Sequence, residues 1–307
     1  MTLQQLRQVL TIAESNSMNE AAKKLFVSQP NLSATVREVE EELGITVFMR
    51  NNRGITVTAE GEEFLGYAKQ VVEQYHLLEN RYLNVESKKK FSVSMQHYSF
   101  AVKAFVQLAK EVGMDEYEFA VHETKTKEVI DNVKNLKSEI GVLYLSDFNE
   151  KVLRKLFKEC DIEFKELFTC NTYVYLWKKH PLAGKKVITL DDLQEYPCLT
   201  FEQGVNNSFY YAEEMMSTYE YKRVIKADDR ATMLNLMVGL NGFTLCSGII
   251  SEDLNGDDYA AIPLKESEKM HIGYIKHKGT KLSKLGEIYI DALKNYELSL
   301  IHISEPT

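Results

Sequence analysis

Residues 17–44 read SMNEAAKKLFVSQPNLSATVREVEEELG, and this stretch decides the fold of the N-terminal region. Ser17 stands three residues before Glu20, a capping pattern that predicts the start of a short helix. Ser28 and Pro30 predict the start of a second helix, because the first helical turn tolerates proline. Two short helices joined by about three residues form a helix-turn-helix candidate.

The second predicted helix has two different faces. Its apolar stripe has the spacing 4, 3, 4 and consists of Leu32, Val36, Val39 and Leu43. The other side carries small or hydrogen-bonding side chains that we expect to enter the major groove of DNA, namely Gln29, Pro30, Ser33 and Arg37. On this pattern alone, a helical hairpin in an ordinary all-α fold fits equally well.

Residues 47–58 follow this helix and predict a β-hairpin, or wing, around an Asn/Gly turn. Six basic and seven acidic side chains give residues 1–60 a net charge of -1, yet the hairpin holds two arginines and no acid. We expect Arg50 and Arg53 to hold the DNA backbone or the minor groove. An ordinary surface turn with two solvated arginines is the alternative.

Residues 59–87 form one long helical pattern. Its apolar residues recur with the spacing 4, 3, 4, 3, 4, which is typical of a coiled-coil seam: Phe64, Ala68, Val71, Tyr75, Leu78 and Tyr82. We predict that this seam joins two copies of the chain. Packing of the helix on its own domain is the alternative.

Alternating strand and helix patterns begin at Phe91 and predict an α/β domain. The predicted strands are Phe91–Tyr98, Tyr117–Glu123 and Glu139–Leu145, and the predicted helices are Phe100–Val112, Lys125–Leu136 and Asn149–Phe157. Ligands of such sheets bind at the carboxyl ends of the strands, where helix N-termini offer free amides.

Hydroxyl residues occupy several of these predicted junctions. With the neighbouring aromatic residues they make up the candidate effector site: Ser99, Phe100, Thr124, Thr126, Thr200, Phe201 and Ser247. Because helix N-termini attract negative charge, we expect a small anionic metabolite there. Each hydroxyl taken singly is more often a plain helix cap.

The N-terminal residues resemble the winged helix-turn-helix of LysR-type transcriptional regulators. The resemblance rests on five motifs: AAKKL at residues 21–25, VSQPNLS at 27–33, VEEELG at 39–44, FMRNNR at 48–53 and TAEG at 58–61. A weaker resemblance continues with HPLA at residues 180–183, ITLDDL at 188–193 and Tyr196-Pro197.

The resemblance implies an α/β fold class with three parts: a winged helix-turn-helix over residues 1–58, a linker and dimerisation helix over 59–87, and a two-lobed, periplasmic-binding-protein-like effector-binding domain over 91–297. Lobe one would hold residues 91–163 and 267–297, and lobe two residues 164–266. The implied function is transcription regulation through a small-molecule effector. The implied partners are double-stranded DNA with a palindromic operator and a second copy of the chain, as a homodimer or homotetramer; RNA polymerase is a further candidate.

Composition limits the other function classes. The 307 residues suit two domains, and the net charge of -8 excludes a generally basic nucleic-acid coat. An enzyme is disfavoured because we find no catalytic motif, and a metal site because the four cysteines lie far apart. A solute-binding protein would have a signal peptide and no wing. We therefore expect a cytoplasmic regulator without a cofactor or a membrane span, and we exclude residues 298–307 as a non-native tail.

Overall fold

A computed structural model describes residues 1–15, 17–51, 54–82, 88–113, 116–206, 208–250 and 252–303. Within these ranges the side chains of residues 50, 51, 54, 80–82, 252 and 297–303 are not described. The chain divides into two compact units, Met1–Ser87 and Lys88–Thr307.

The first unit is helical, apart from one β-hairpin. Its elements are α1 (Leu3–Ala13), α2 (Met18–Lys24), α3 (Gln29–Leu43), β1 (Phe48–Asn51), β2 (Gly54–Val57) and α4 (Ala59–Tyr82). Strands β1 and β2 pair antiparallel. The predicted helix-turn-helix and wing are thus confirmed.

Side-chain caps explain where α2 and α3 begin. The Ser17 hydroxyl accepts a hydrogen bond from the Glu20 amide at 3.2 Å, and Ser28 accepts one from the Asn31 amide at 3.4 Å. Helix α3 ends at Gly44, whose φ of 70° lies in the left-handed region that glycine adopts without strain. These capping residues therefore set the lengths of both helices.

The core of this unit is formed by the apolar faces of α1, α2 and α3 and by the start of the wing. Leu32, Val36 and Val39 are all buried, as the apolar stripe predicts. Leu43, the fourth residue of that stripe, is 38% exposed. It is the last residue of α3 and therefore lies past the helices that cover the stripe.

The second unit alternates strands and helices. The strands are β3 (Lys89–Met95), β4 (Tyr117–Glu123), β5 (Ile140–Leu145), β6 (Ile162–Asn171), β7 (Tyr173–Trp177), β8 (Cys198–Phe201), β9 (Val224–Ala227), β10 (Thr244–Cys246), β11 (Tyr259–Pro263) and β12 (Lys269–His277). The helices are α5 (Ser99–Val112), α6 (Thr126–Lys134), α7 (Glu150–Glu159), α8 (Leu190–Leu193), α9 (Arg230–Leu240), α10 (Glu252–Asn255) and α11 (Lys284–Ile303), with a 3-10 turn at Phe209–Tyr211.

A five-stranded sheet in the order β4-β3-β5-β12-β6 organises the first part of this unit. Strands β3, β4 and β5 are parallel, whereas β12 runs antiparallel to both of its neighbours. Every residue of β5 is buried, as expected for a central strand with both faces covered. We call this sheet with α5, α6, α7 and α11 lobe one.

Residues 172–268 form lobe two, which contains the sheet β10-β7-β11 and the parallel pair β8-β9. The chain leaves lobe one through β6 and returns through β12, and these two strands pair with each other. The predicted boundary between the lobes, at residue 163, falls inside β6. This strand belongs to the sheet of lobe one for its whole length, so lobe two begins after it. The chain thus passes between the lobes at the ends of these two strands.

The longest uncharged stretch, Ala231–Ser251, supplies most of α9 and then β10. Among the described residues, no helix is long and apolar enough to cross a membrane. Helix α11 continues to Ile303, into the residues 298–307 that the sequence analysis set aside as a non-native tail.

Candidate DNA-binding surface and ligand cavity

Helix α3 presents the predicted groove-facing residues on its outer side. Pro30 and Arg37 are exposed, and Gln29 and Ser33 are half-buried. The Gln29 side-chain amide donates a hydrogen bond to the Ser33 hydroxyl at 2.8 Å, one helical turn away. This bond holds two hydrogen-bonding side chains together on one small surface at the start of the helix.

Glu40 fixes the wing to α3. Its carboxylate oxygen Oε1 accepts hydrogen bonds from the amides of Val47, at 2.7 Å, and Phe48, at 3.0 Å. The start of the wing therefore follows α3 as one body. Arg50 lies on β1 with its side chain outside the described residues, and Arg53 lies outside them altogether.

The predicted seam of α4 divides into two parts. Ala68 is buried and Phe64 is half-buried, both against the first helix of the same unit. Val71 is 51% exposed and Leu78 is 54% exposed. Tyr75, at 38% exposed, lies under the Arg7 guanidinium, whose carbon is 5.3 Å from the ring centre. The side chain of Tyr82, the last seam residue, is not described.

A cavity opens between the two lobes of the second unit, with about 760 Å³ of empty space when its open mouth is included. Lobe one contributes the start of α5, and lobe two contributes the first half of α9 and the end of β10. Most of the wall is apolar: Phe100, Met233, Leu234, Met237, Leu245, Ile249, Ile250 and Met270. The space suits a small organic molecule.

Four of the predicted effector residues line this cavity, namely Ser99, Phe100, Phe201 and Ser247. Ser99 is the first residue of α5, and no side chain caps this helix at Tyr98. Helix termini carry amides without helical partners, so the first turn of α5 offers donors beside Ser99.

The structure does not bring the other three predicted residues to the cavity. Thr124 donates to the carboxylate of Glu128, on the next helix. Thr126 is buried, and its hydroxyl donates to the Tyr211 carbonyl at 2.7 Å. Thr200 lies on β8, away from the cavity wall. A position near the end of a strand therefore does not show whether a hydroxyl is open to the cavity, because contacts such as those with Glu128 of lobe one and Tyr211 of lobe two decide it.

Two adjacent carboxylates, which the sequence analysis missed, form part of the wall. Glu213 and Glu214 are 6% and 5% exposed. Glu213 Oε2 lies 2.7 Å from His97 Nδ1, and the His97 ring stacks on Phe201 with ring centres 3.7 Å apart. A sequence signal exists: two glutamates between Ala212 and two methionines are unusual for a solvated surface.

Burial shifts the protonation of Glu214. Removal from water, together with the neighbouring Glu213 charge, raises the pKa of Glu214 to about 8. Glu213 accepts hydrogen bonds from the His97 amide at 3.0 Å and from the Gln203 side chain at 2.9 Å. Glu213 is thus well solvated by protein groups, and Glu214 is the carboxyl that holds a proton near neutral pH.

Several hydrogen bonds cross from one lobe to the other beside the cavity. Besides the His97–Glu213 pair, the Thr126 amide donates to the side chain of Gln203 at 3.2 Å. The Tyr144 hydroxyl donates to the Ala212 carbonyl at 3.0 Å. The segment that follows β8 is therefore docked on lobe one, and the lobes are held together around the cavity.

Neither a metal site nor a reactive thiol is evident in the described part of the chain. No group of three or more His, Cys, Asp or Glu side chains there could hold a metal ion. The four cysteines are free, and burial raises the pKa of Cys246, in the cavity wall, to about 12. This side chain is therefore a protonated thiol and a weak nucleophile.

Two protein families match the chain. The family described as "Bacterial regulatory helix-turn-helix protein, lysR family" matches residues 3–62, and "LysR substrate binding domain" matches residues 96–297. The matched ranges correspond to the winged unit with the start of α4, and to the two-lobed unit.

Similar proteins cover nearly the whole chain. The HTH-type transcriptional regulator CysL of Bacillus subtilis (strain 168) is 25% identical over 308 residues, covering 96% of this chain and 98% of the relative. BsdA of the same organism is 26% identical over 247 residues, covering 77% of this chain and 80% of the relative. Among solved structures, a full-length OxyR variant of Pseudomonas aeruginosa gives a TM-score of 0.70 at 19% identity, covering 96% of this chain and 95% of that one. This last similarity is one of fold.

Proposed function

Because the chain belongs to the LysR family of bacterial transcriptional regulators, we propose that it binds a palindromic operator through α3 and the wing, and that a small molecule between the lobes modulates this binding. The carrying observation is the cavity itself, which is lined by both lobes and lies beside β12, one of the two strands that connect the lobes. A ligand there contacts both sides of a movable joint. We place this activity in the cytoplasm, where the chromosome is.

At the DNA, α3 supplies the base contacts. Gln29, Pro30, Ser33 and Arg37 read base edges in the major groove, and Arg50 and Arg53 hold the backbone or the minor groove beside it. The Gln29–Ser33 hydrogen bond supports this assignment, because it presents an amide and a hydroxyl together without a charged side chain between them.

Substitutions on α3 test the base contacts. Ser33→Ala and Gln29→Ala should each weaken binding to the cognate operator by about 1 to 3 kcal/mol and leave binding to unrelated DNA nearly unchanged. Arg53→Ala should weaken binding to all sequences and lower the salt dependence by about one counterion. Fluorescence anisotropy at several salt concentrations measures both effects, with the exposed Glu41→Ala on the same helix as control. Equal losses on cognate and unrelated DNA for Ser33→Ala would remove that residue from base readout.

In the second unit, we propose a small anionic effector that contacts Ser99, Phe100, Phe201 and Ser247. The first turn of α5 supports a negative charge on the ligand, since no side chain caps this helix and its first residues, Ser99 and Phe100, line the cavity. The free energy of operator binding needs to differ by about 1 to 3 kcal/mol between the ligand-bound and the ligand-free protein, which is the usual size of such coupling. A difference of this size would suffice to regulate DNA binding.

Native mass spectrometry of protein purified from its host identifies the bound metabolite and tests the effector site. With that metabolite, Ser99→Ala and Ser247→Ala should lose the effect of the ligand on operator affinity while ligand-free affinity stays nearly constant. Thr200→Ala is the matched control, because this half-buried hydroxyl lies outside the cavity wall. A normal response of both serine variants would exclude these residues from the site.

We further propose that the exposed part of the α4 seam joins two chains, since Val71 and Leu78 are large apolar side chains left in solvent. A two-fold dimer would match the two-fold symmetry of a palindromic operator. Assembly to a tetramer and contact with RNA polymerase stay predictions from the family resemblance.

A further inference from the structure

Two hydroxyl groups in the wall of the cavity lack hydrogen-bond partners. They are Thr244 Oγ1 and the Tyr175 hydroxyl, both buried and both unpaired within the part of the chain that the structure describes. Thr244 is only 7% exposed. The Asn255 side chain lies beside the Tyr175 hydroxyl.

The fold places these two residues side by side. Thr244 on β10 and Tyr175 on β7 are direct cross-strand partners in the antiparallel pair. Opposite residues of such a pair share one face of the sheet, and their Cβ atoms are about 4.5 to 5.5 Å apart. Both side chains therefore rise from one face of the lobe-two sheet and line the cavity, and we call their two hydroxyls the polar patch.

Leaving this patch unpaired destabilises the free protein. A buried hydroxyl that gives up its water without gaining a partner lowers the stability of the fold, and native proteins keep few such groups. The contrast with Thr172 is direct. This threonine lies just before β7, is fully buried, and donates to the Glu268 carbonyl at 2.9 Å.

The surroundings limit the chemistry that could satisfy the patch. Met233, Met237 and Ile249 make its neighbourhood apolar, and Arg230 is the nearby cation of α9. Burial raises the pKa of Tyr175, so this phenol stays protonated and can donate. A hydrogen-bond acceptor on an apolar body matches two hydroxyl donors set among methionine side chains.

We propose that Thr244 and Tyr175 anchor the effector by donating hydrogen bonds to an acceptor oxygen, a carboxylate or a carbonyl, whose apolar body lies along α9. This inference rests on the proposed function and adds a subsite on lobe two that the sequence analysis did not include. The acceptor oxygen replaces the partner that the free protein lacks, so ligand binding removes the cost of the unpaired hydroxyls.

The first experiment needs no ligand. Thr244→Val and Tyr175→Phe keep the shape of each side chain and delete its hydroxyl, so both should raise the melting temperature of the free protein. Thr172→Val is the matched control and should lower it, because it deletes the 2.9 Å hydrogen bond from the Thr172 hydroxyl to the Glu268 carbonyl. A lower melting temperature for Thr244→Val and Tyr175→Phe would show that both hydroxyls are already satisfied, by water for example, and would overturn the proposal.

The second experiment uses Trp177, the only tryptophan of the chain, as a fluorescent reporter. Trp177 lies two residues from Tyr175 on β7 and so faces the same side of the sheet. The probes share a six-carbon body: hexanoate, hexanamide and hexylammonium. We expect the wild type to bind hexanoate or hexanamide, and Thr244→Val to bind the same probe about tenfold more weakly. The preferred probe tells a carboxylate from a carbonyl.

Three results would contradict the proposal: no binding of any probe to the wild type, unchanged affinity in Thr244→Val, or preferential binding of hexylammonium. The last would assign the anchor to the Glu213–Glu214 pair. Ser99→Ala separates this inference from the proposed function. If Ser99→Ala loses the probe and Thr244→Val keeps it, the cavity binds ligand but not through Thr244. If both keep it, the proposed effector site fails as well.

Discussion

Glu40 is the residue through which the wing is positioned relative to α3. Its carboxylate accepts two amide hydrogen bonds, and the residues that donate them, Val47 and Phe48, are buried. Glu40→Ala would leave both amides without partners, so we expect the free energy of unfolding to fall by roughly 1 to 3 kcal/mol. Denaturant titration measures this loss.

Glu41→Ala, one residue along the same helix and exposed, is the control and should cost less than about 0.5 kcal/mol. Glu40→Gln keeps an acceptor oxygen and should recover part of the loss. Equal stability of Glu40→Ala and the wild type would show that the wing does not depend on this contact.

Glu214 predicts a dependence of stability on pH. The pKa of this carboxyl in the folded protein is about 8, whereas an unfolded glutamate has a pKa of about 4.3. Between these values the folded state holds a proton that the unfolded state has lost, so the free energy of unfolding falls as pH rises, by at most about 1.4 kcal/mol per pH unit from this group.

The glutamine side chain in Glu214→Gln cannot ionise. Between pH 5 and 8 the free energy of unfolding of this variant should therefore fall less than that of the wild type. Glu220→Gln, an exposed change in the same loop, should keep the wild-type profile. Parallel profiles for the wild type and Glu214→Gln would contradict the raised pKa.

The start of helix α4 packs closely against the wing. A Cβ atom added at Gly61 would lie 2.3 Å from the Val47 carbonyl oxygen, which is backbone and has little freedom to move. The Gly61 amide also donates to the Thr58 hydroxyl at 2.8 Å, which caps the helix. We expect Gly61→Ala to lower the free energy of unfolding by about 1 to 3 kcal/mol.

Gly239→Ala is the matched control in helix α9. An added Cβ there meets no atom within 4 Å, so this substitution should stabilise the protein by about 0.5 to 1 kcal/mol. The two alanine variants should therefore shift the denaturation midpoint in opposite directions. A shift in the same direction would mean that the close approach at Gly61 does not constrain the wing.

Helix α4 also carries the proposed dimer contact. Burying Val71 and Leu78 against a second chain should stabilise association by about 1.5 to 3 kcal/mol for each side chain. The double variant Val71→Asp, Leu78→Asp should therefore be monomeric and lose affinity for a palindromic site. Lys69→Asp, His76→Asp changes the opposite side of the helix and should stay associated. Sedimentation velocity distinguishes these cases, and an unchanged oligomer in the first variant would exclude this seam.

Elements whose signals are local could be predicted from the sequence. Ser17, Ser28 and Gly44 delimit α2 and α3 because caps act within one turn. The heptad spacing of α4 located the helix, but could not show that Phe64 and Ala68 pack on their own unit while Val71 and Leu78 stay exposed. That division depends on where α1 lies.

The residues of the cavity wall could be predicted only in part from the sequence. Ser99 and Ser247 follow strands and line the cavity. Thr126 has the same kind of position, but its hydroxyl donates a hydrogen bond to the Tyr211 carbonyl, in the segment after β8. Glu213 comes from that segment, which has no periodic pattern beyond a single 3-10 turn. Thr244 could not be predicted for another reason. The sequence of a buried strand does not show whether the hydroxyl of its threonine has a hydrogen-bond partner.

Selection of binding sites from a random library of DNA duplexes with the purified protein tests whether this regulator reads a palindromic operator. We expect enrichment of an inverted repeat whose half-sites lie about 10 base pairs apart, or a multiple of that spacing, because two copies of α3 enter successive major grooves on one face of the duplex. Recovery of no sequence above the starting library, or of sites without two-fold symmetry, would contradict it.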